Sequence, residues 1–89
     1  MITSTIKTAL RIKHDKLDDE IERLEETARR EMVRVGVKDE IAMDDTNYLA
    51  NQAVVTYCLM NLTEDEGLID KYNKAWECQI DGIRRNVNV

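Results

Sequence analysis

DKLDDEIERLEETARREMVRVG, residues 15–36, is the stretch that decides the fold of this 89-residue chain. Its apolar residues recur at intervals of three and four, which is the period of an α-helix and not of a β-strand. They are Leu17, Ile21, Leu24, Ala28, Met32 and Val35. Asp15 can cap the start of such a helix, and Gly36 can adopt the left-handed conformation that ends one. The sequence therefore predicts a long helix over residues 15–35 with one narrow side buried.

Charged residues on this helix are ordered along the chain, with most acids in its first half and most arginines in its second half. This order complements the helix dipole. Two pairs have the favourable acid-first spacing of four, Glu25 with Arg29 and Glu26 with Arg30. We expect both to be surface ion pairs worth about 0.2–0.5 kcal/mol each. Loss of a buried Leu24 would cost about 2–5 kcal/mol, so packing of the apolar side should hold the helix in place.

Two more helices are predicted on either side of the long one. Residues 2–12 predict a short helix whose cap is Thr3 or Ser4. Residues 47–61 form the most apolar segment of the chain, and Thr46 can cap it. We expect this segment to be the most buried helix, because its apolar side chains cover a broad face.

The last helix is predicted over residues 65–85. Thr63 and Glu66 have the spacing of a capping box, although Gly67 weakens a helix that starts there and could move its start to Leu68. The predicted apolar side carries Leu68 or Ile69, Tyr72, Ala75 or Trp76, Gln79, Ile80 and Ile83.

Two segments have no sustained helical period. Residues 37–45 predict a loop that places Ile41 or Met43 on the core, and residues 86–89 predict a loose tail. The whole pattern therefore predicts an all-α fold, with a single domain over residues 1–89 built as a small bundle of about four helices.

Composition disfavours several classes of protein. The formal net charge is −5, which disfavours a protein that holds nucleic acid by neutralising its phosphates. The sequence has neither an apolar run long enough to span a membrane nor the apolar core of a signal peptide, so we expect a cytoplasmic protein. Cys58 and Cys78 have no closely spaced partners. We predict reduced packing residues, with a disulfide between them as the lesser alternative.

No arrangement of residues in the sequence predicts catalysis. His14 is the single histidine and has no cysteine or serine partner in a catalytic pattern. A glycine-rich phosphate loop is also absent. The acidic pairs at residues 18–19 and 44–45 lack the spacing of a calcium loop, so we expect solvated or capping carboxylates. The prediction is a protein that is not an enzyme and that binds neither a metal nor a cofactor.

Two features favour an interaction protein instead. Tyr72 and Trp76 lie four apart on the last helix, which is typical of core or interface packing. Near the amino terminus, four basic residues form what we call the basic end, namely Lys7, Arg11, Lys13 and Lys16. The basic end is either a solvated face that balances neighbouring acids or a contact surface for an acidic partner.

Four segments, taken in order, resemble the small head–tail connector family of tailed bacteriophages, which comprises adaptor, head-completion and DNA-packaging proteins. The segments are IKTALRI (6–12), LDDEI (17–21), AVVTYC (53–58) and KYNKAW (71–76). The resemblance covers nearly the whole chain, and it rests on the order of these helical patterns together with the short length.

The resemblance implies an all-helical subunit of a homo-oligomeric ring of about twelve copies. Such a ring lies between the capsid portal and the tail, extends the DNA channel and completes the head after packaging. The implied partners are other copies, the portal protein, a downstream connector or tail protein, and double-stranded DNA that passes without sequence-specific binding, with no membrane involved. The implied location is the head–tail junction of the virion, after assembly in the host cytoplasm.

A ring of this kind joins different faces of neighbouring subunits. The candidate interface residues are Lys7, Arg11 and Lys13 on the basic end, Asp19 and Glu22 on the long helix, and Trp76 on the last helix. The acidic balance suits a channel along which DNA slides, because a strongly basic lining would hold the DNA.

The main alternative is a small helical regulatory module, antitoxin-like or anti-activator, that acts as a monomer or dimer through an apolar groove. A DNA-binding regulator is disfavoured, because the helix at residues 47–61 offers Asn51 and Gln52 but no lysine or arginine. Oligomeric state separates the connector from the regulatory module, since only the connector needs a closed ring.

Overall fold

The computed structural model describes residues 2–87, and within that range the chain forms five α-helices. They are α1 (Thr3–Leu10), α2 (Asp18–Arg34), α3 (Asp39–Ala42), α4 (Tyr48–Leu62) and α5 (Glu66–Val87). Helix α4 is central, because it packs against both α2 and α5, and α1 packs against α2 and α4. The predicted all-α fold is confirmed, with one helix more than the four expected.

Neighbouring long helices run in opposite directions. Arg29 of α2 contacts Asn51 near the start of α4, with Nη2 and Oδ1 2.9 Å apart, whereas the earlier Glu25 lies near the later Cys58. Helices α4 and α5 form a hairpin in which the ring centroids of Tyr57 and Trp76 lie 5.0 Å apart. The α1–α2 connection and the α4–α5 turn therefore lie at one end of the bundle, and the α3–α4 connection lies at the other.

Helix α2 begins at Asp18, later than the predicted Asp15. Asp15 does not cap α2, because its carboxylate accepts a hydrogen bond from Lys7 over 2.7 Å. The N-cap is instead Leu17, which has no side-chain oxygen to accept a bond from the first turn. At the other end, Gly36 has a φ of +107°, so its predicted left-handed conformation is confirmed.

Helix α1 spans Thr3–Leu10 and is shorter than the predicted residues 2–12. The prediction that Thr3 or Ser4 caps it is wrong, because both lie inside the first turn. The N-cap position belongs to Ile2, whose apolar side chain makes no capping hydrogen bond.

The cap of α4 is Asn47 and not the predicted Thr46. The side-chain oxygen of Asn47 accepts a hydrogen bond from the backbone N–H of Ala50 over 3.0 Å. Thr46 instead donates both its hydroxyl and its backbone N–H to the Asp44 carboxylate. These two bonds lower the pKa of Asp44, and they place Thr46 in the turn that precedes the helix.

The start of α5 also differs from the prediction. Asp65 caps it, since its Oδ1 accepts hydrogen bonds from the N–H groups of Gly67 and Leu68 over 3.0 and 3.4 Å. The predicted capping box at Thr63 is wrong, because the Thr63 hydroxyl accepts a bond from the N–H of Asp65 instead. Helix α5 begins at Glu66, so Gly67 lies within the first turn and does not delay it.

Residues 37–45, predicted as a loop, contain the short helix α3. Val37 and Ala42 are buried and Ile41 is half-buried, whereas Met43 is exposed. The loop prediction is wrong for α3. Ala42 is buried and its carbonyl accepts a hydrogen bond from Arg29, so this segment is fixed against α2. Of the two residues predicted to cover the core, Ile41 does so.

The core is mainly aliphatic and draws residues from all five helices. Its buried apolar members are Ile6, Ile21, Ala28, Met32, Val37, Ala42, Ala50, Ala53, Val54, Cys58, Trp76, Ile80 and Ile83. Of the apolar side predicted for α2, three residues are buried and three are half-buried, the latter being Leu17, Leu24 and Val35. The predicted helical period is therefore correct, but the centre of the buried face of α2 is displaced from the predicted apolar side.

The two cysteines occupy different environments. Both are free; Cys58 is buried and Cys78 is exposed. Burial, together with the nearby charge of Glu25, raises the pKa of the Cys58 thiol to about 12. The predicted packing role is therefore correct for Cys58 and wrong for Cys78.

The largest departure from the sequence prediction is an ion pair inside the bundle. Glu25 is 2% exposed and Arg29 is 5% exposed, and Arg29 Nε donates to Glu25 Oε2 over 3.1 Å. The other Arg29 nitrogens donate to the carbonyl of Ala42 over 2.8 Å and to Asn51 Oδ1 over 2.9 Å. Glu25 Oε1 accepts the backbone N–H of Ile2 over 3.1 Å. The pair therefore bonds to groups from three other parts of the chain.

The predicted surface pair Glu25–Arg29 is thus a buried pair. A buried charge pair is tolerated only when its remaining donors and acceptors are also satisfied. That condition is met because Ile2, Ala42 and Asn51 all present hydrogen-bonding groups to this side of α2. The next pair, Glu26 with Arg30, has the same spacing and is exposed as predicted.

Replacing Arg29 by methionine is expected to lower the free energy of unfolding by about 3–5 kcal/mol, because it leaves the Glu25 charge buried without a partner. This loss is large against the roughly 5–13 kcal/mol expected for a chain of this length. Urea unfolding followed by circular dichroism measures it. The matched control is Arg30→Met, which removes the exposed pair and should cost less than about 0.5 kcal/mol.

A double variant separates loss of the charge from loss of packing. Combining Glu25→Leu with Arg29→Met removes both charges and should recover most of the lost stability, since an apolar pair of similar volume can replace a buried ion pair. Equal losses for Arg29→Met and Arg30→Met would contradict the buried network.

Gly82 lies within α5, and a Cβ added at this position would meet nothing within 4 Å. Gly82→Ala is therefore expected to stabilise the chain by about 1 kcal/mol, which raises Tm by about 4–8 °C. Thermal unfolding by circular dichroism measures the shift. Gly36→Ala should have the opposite effect, because its φ is +107° and its Cβ would lie 3.2 Å from Arg84 Nε. A lower Tm for Gly82→Ala would count against this placement of α5.

The predicted loose tail, residues 86–89, is described only in part. Helix α5 continues through Val87, and residues 88–89 lie outside the described range. Among the helices of residues 2–87, none combines the length and the apolar character needed to cross a membrane.

Candidate assembly surfaces

The basic end lies where α1 turns into α2, and one of its members is engaged within the chain. Lys7 Nζ lies 2.7 Å from Asp15 Oδ1 and 2.9 Å from Asp18 Oδ1. Lys7 therefore bridges the last turn of α1 to the connection and to the first residue of α2. This contact ties α1 to α2 and partly neutralises the basic end.

The rest of the basic end is exposed. Arg11 ends α1 in the left-handed conformation with a φ of 59°, and the backbone N–H groups that follow the helix bond to the carbonyls of Lys7 and Thr8. The side chains of Arg11, Lys13 and Lys16 are exposed. Within residues 2–87 none of these three forms an ion pair. Their charge is available at the surface.

The Lys7–Asp15 hydrogen bond shifts the pKa of both partners. It raises the pKa of Lys7 above 10.5 and lowers the pKa of Asp15 below 3.8. A carboxylate with a lowered pKa stabilises the folded state above its ordinary pKa, and this contribution is lost as the pH falls through the folded value. An amine with a raised pKa stabilises the folded state below its ordinary pKa. This stabilisation is lost as the pH rises through the pKa that the amine has in the folded state. The Lys7–Asp15 pair therefore makes its full contribution to the stability of the folded state between pH 3.8 and pH 10.5.

Lys7→Met should lower the urea midpoint of unfolding at pH 7, and the loss should shrink as the pH falls below 3.8 and Asp15 becomes protonated. Equilibrium unfolding at a series of pH values checks this. Lys16→Met is the control, because Lys16 is exposed and its variant should leave the midpoint unchanged at every pH. A loss for Lys7→Met that is independent of pH would mean that packing of the lysine stem is responsible.

Asp19 and Glu22 lie on the exposed side of α2, close to the basic end. Lys7 bonds to their neighbour Asp18 and not to either of them. Within residues 2–87, neither Asp19 nor Glu22 forms an ion pair. Both carboxylates therefore face solvent.

Trp76 occupies a different position from the other candidates, because it is only 7% exposed. Its ring packs against Tyr57 with an interplanar angle of 54°. The indole also forms part of an open groove of about 300 Å³, together with Val35, Glu77, Ile80, Asp81 and Arg84. Trp76 thus belongs mainly to the core of the α4–α5 hairpin, and the groove lies far from the basic end.

Two apolar surfaces were not among the candidates from the sequence. The first, which we call the Tyr48 patch, comprises Met43, Tyr48 and Leu49 at the α3–α4 connection. Tyr48 is 77% exposed, and the other two are about half exposed. Met43 also lines a second open groove of about 290 Å³ with Val33 and the polar residues Glu26, Arg30 and Asp39. The sequence signal for this patch is a pair of large apolar residues, Tyr48 and Leu49, which directly follow the N-cap of α4 and precede the buried Ala50.

The second surface, which we call the hairpin tip, comprises residues 64–71. Every residue in this range is exposed, including the apolar Leu68 and Ile69, which are each 37% exposed. The prediction that Leu68 or Ile69 lies on the buried side of α5 is therefore wrong. Helix α5 starts ten residues before Trp76, whereas α4 ends five residues after Tyr57, the residue that packs on Trp76. The start of α5 therefore extends past the end of α4.

Within residues 2–87, no group of three or more histidine, cysteine, aspartate or glutamate side chains is placed to hold a metal ion. Comparison with known proteins found no matching family model, no similar curated protein and no similar solved structure.

Proposed function

We propose that this chain is a structural assembly protein of a tailed bacteriophage. In this role, copies of the chain form a ring between the capsid portal and the tail, extend the DNA channel and complete the head after packaging. The proposal is supported by the sequence resemblance and by one observation on the fold. The chain exposes two separate apolar surfaces, the Tyr48 patch and the hairpin tip, at opposite ends of α4.

Two such surfaces favour a linking role over a role with one partner. The Tyr48 patch lies at the first turn of α4, and the hairpin tip follows its last residue. A helix of 15 residues spans about 22 Å, so a single small partner does not reach both surfaces. A connector contacts at least two neighbours, whereas a regulatory module that sequesters one partner needs one apolar surface.

The charge of the chain is compatible with DNA that passes through the ring. The net charge is −5, and a duplex binds proteins mainly through neutralisation of its phosphates. A ring of such subunits therefore lets the duplex slide without sequence-specific binding. In the proposed assembly the subunits contact one another, the portal protein and a downstream connector or tail protein.

The assembly state of the purified chain tests this proposal. Light scattering across a concentration series, with negative-stain images of the largest species, is expected to reveal a closed ring of about twelve subunits. A discrete dimer that persists at every concentration would instead favour the regulatory module. As a control, Glu40→Lys alters an exposed acid of α3 outside both apolar surfaces and should leave the mass unchanged.

A genetic experiment tests the function without purified protein. Deleting the coding sequence from the phage genome is expected to yield DNA-filled heads and free tails that fail to join. Expression of the chain from a plasmid should restore joined particles. Normal particles in the absence of the chain would rule out a role at the head–tail junction.

A further inference from the structure

The first turns of α5 carry no buried residue. Residues 64–71 are all exposed, and six consecutive helical residues, 66–71, pass through the full circumference of a helix with about 3.6 residues per turn. Every side of α5 is therefore partly open to solvent in this region, although Leu68 and Ile69, each 37% exposed, keep more than half of their surface covered. Leu68 and Ile69 are adjacent in the chain and add a small apolar area to this exposed surface.

The hairpin tip is also acidic, and part of its charge is unpaired. Asp65 uses its carboxylate to cap α5, and Asp70 lies 3.6 Å from Lys74 Nζ. Glu64 and Glu66 form no ion pair with any residue in the range 2–87. The tip therefore presents two carboxylates beside two exposed apolar side chains.

The basic end has the complementary charge and lies at the same end of the bundle. Arg11, Lys13 and Lys16 are exposed and without an ion pair among the described residues. Half-buried apolar side chains lie beside them in the chain, namely Leu10, Ile12 and Leu17. The two surfaces belong to different parts of the chain, because the tip is the start of α5 and the basic end is the connection between α1 and α2.

The geometry points to a contact between copies: we propose that the hairpin tip of one subunit packs against the basic end of a second copy. The inference rests on the proposed ring and specifies its lateral interface. The contact is heterologous, because each subunit supplies its tip to one neighbour and its basic end to another. Repetition of a heterologous contact closes into a ring when the rotation between neighbours allows it.

The other apolar surface is a poor partner for the tip. The Tyr48 patch flanks Asp44 and Asp45 in the α3–α4 connection, so an acidic tip would meet like charge there. It also lies at the opposite end of α4. In the proposed ring the Tyr48 patch therefore remains open to a different partner, above or below the plane of the subunits.

Charge reversal at the two surfaces tests the contact. One variant carries Glu64→Lys with Glu66→Lys, and the other carries Arg11→Glu with Lys13→Glu. Each alone is expected to weaken self-association of the full chain at least about tenfold, because like charges then face each other. An equimolar mixture of the two variants should assemble again, since each altered surface then finds a complementary one. Sedimentation velocity measures the mass, and circular dichroism checks the fold of each variant.

A matched variant and the salt dependence complete the test. Glu40→Lys with Glu77→Lys makes the same charge change at exposed acids outside the tip and the basic end, and it should leave association within about twofold of the wild type, while added salt should weaken the wild-type contact. If the tip variant leaves the ring intact and Asp19→Lys with Glu22→Lys disassembles it, the lateral contact uses α2 and the inference fails although the proposed ring stands. A wild-type chain that stays monomeric at millimolar concentration overturns the inference, and the deletion experiment then decides separately on the connector role.

Discussion

The buried pair of Glu25 and Arg29 is the interaction on which the arrangement of the bundle depends. Its hydrogen bonds reach the backbone at the start of α1, the last carbonyl of α3 and a side chain near the start of α4. Charges in a dry environment require nearly all of their hydrogen-bonding positions to be filled. Small displacements of α1, α3 or α4 against α2 are therefore penalised, whereas a purely aliphatic core tolerates some sliding. An apolar pair of similar volume can replace such a pair at little cost, so we infer that it contributes precision of packing more than net stability.

The sequence predicted the helices well and this pair badly, for one physical reason. Helical period depends on the spacing of apolar residues, so it correctly located Ile21, Ala28 and Met32 on the buried side of α2. Glu25 and Arg29 have the same residue types and spacing as their exposed neighbours Glu26 and Arg30, and the two pairs differ only by a rotation of about 100° around the helix axis. Which pair is buried depends on the acceptors and donors offered by other helices, and these are set by tertiary structure. The predicted helix starts were wrong for a similar reason. Neighbouring residues compete for the capping position, and the geometry of the turn selects between them.

The candidate surfaces were predictable in part. The basic end is evident from the sequence, but the loss of Lys7 to a contact with Asp15 and Asp18 follows from the angle between α1 and α2. The hairpin tip was not predictable, because Leu68 and Ile69 fit the apolar period of α5 as well as its buried residues do. Their exposure results from the register of the hairpin: Trp76 lies ten residues after the start of α5, whereas its partner Tyr57 lies only five residues before the end of α4. The spacing of apolar residues indicates which side of a helix is apolar. How far along the helix that side is covered depends on how far the neighbouring helices extend.

Helix α4 carries no charged residue and contributes little to either end surface beyond its first turn. It nevertheless works as a fixed spacer, because the Tyr48 patch and the hairpin tip are joined to its two ends. Inserting a single residue in α4 would lengthen it by about 1.5 Å and rotate one surface against the other by about 100°. Variation among proteins with this design should therefore appear as substitutions in α4 and as insertions in its flanking turns, with the number of residues in the helix itself held constant.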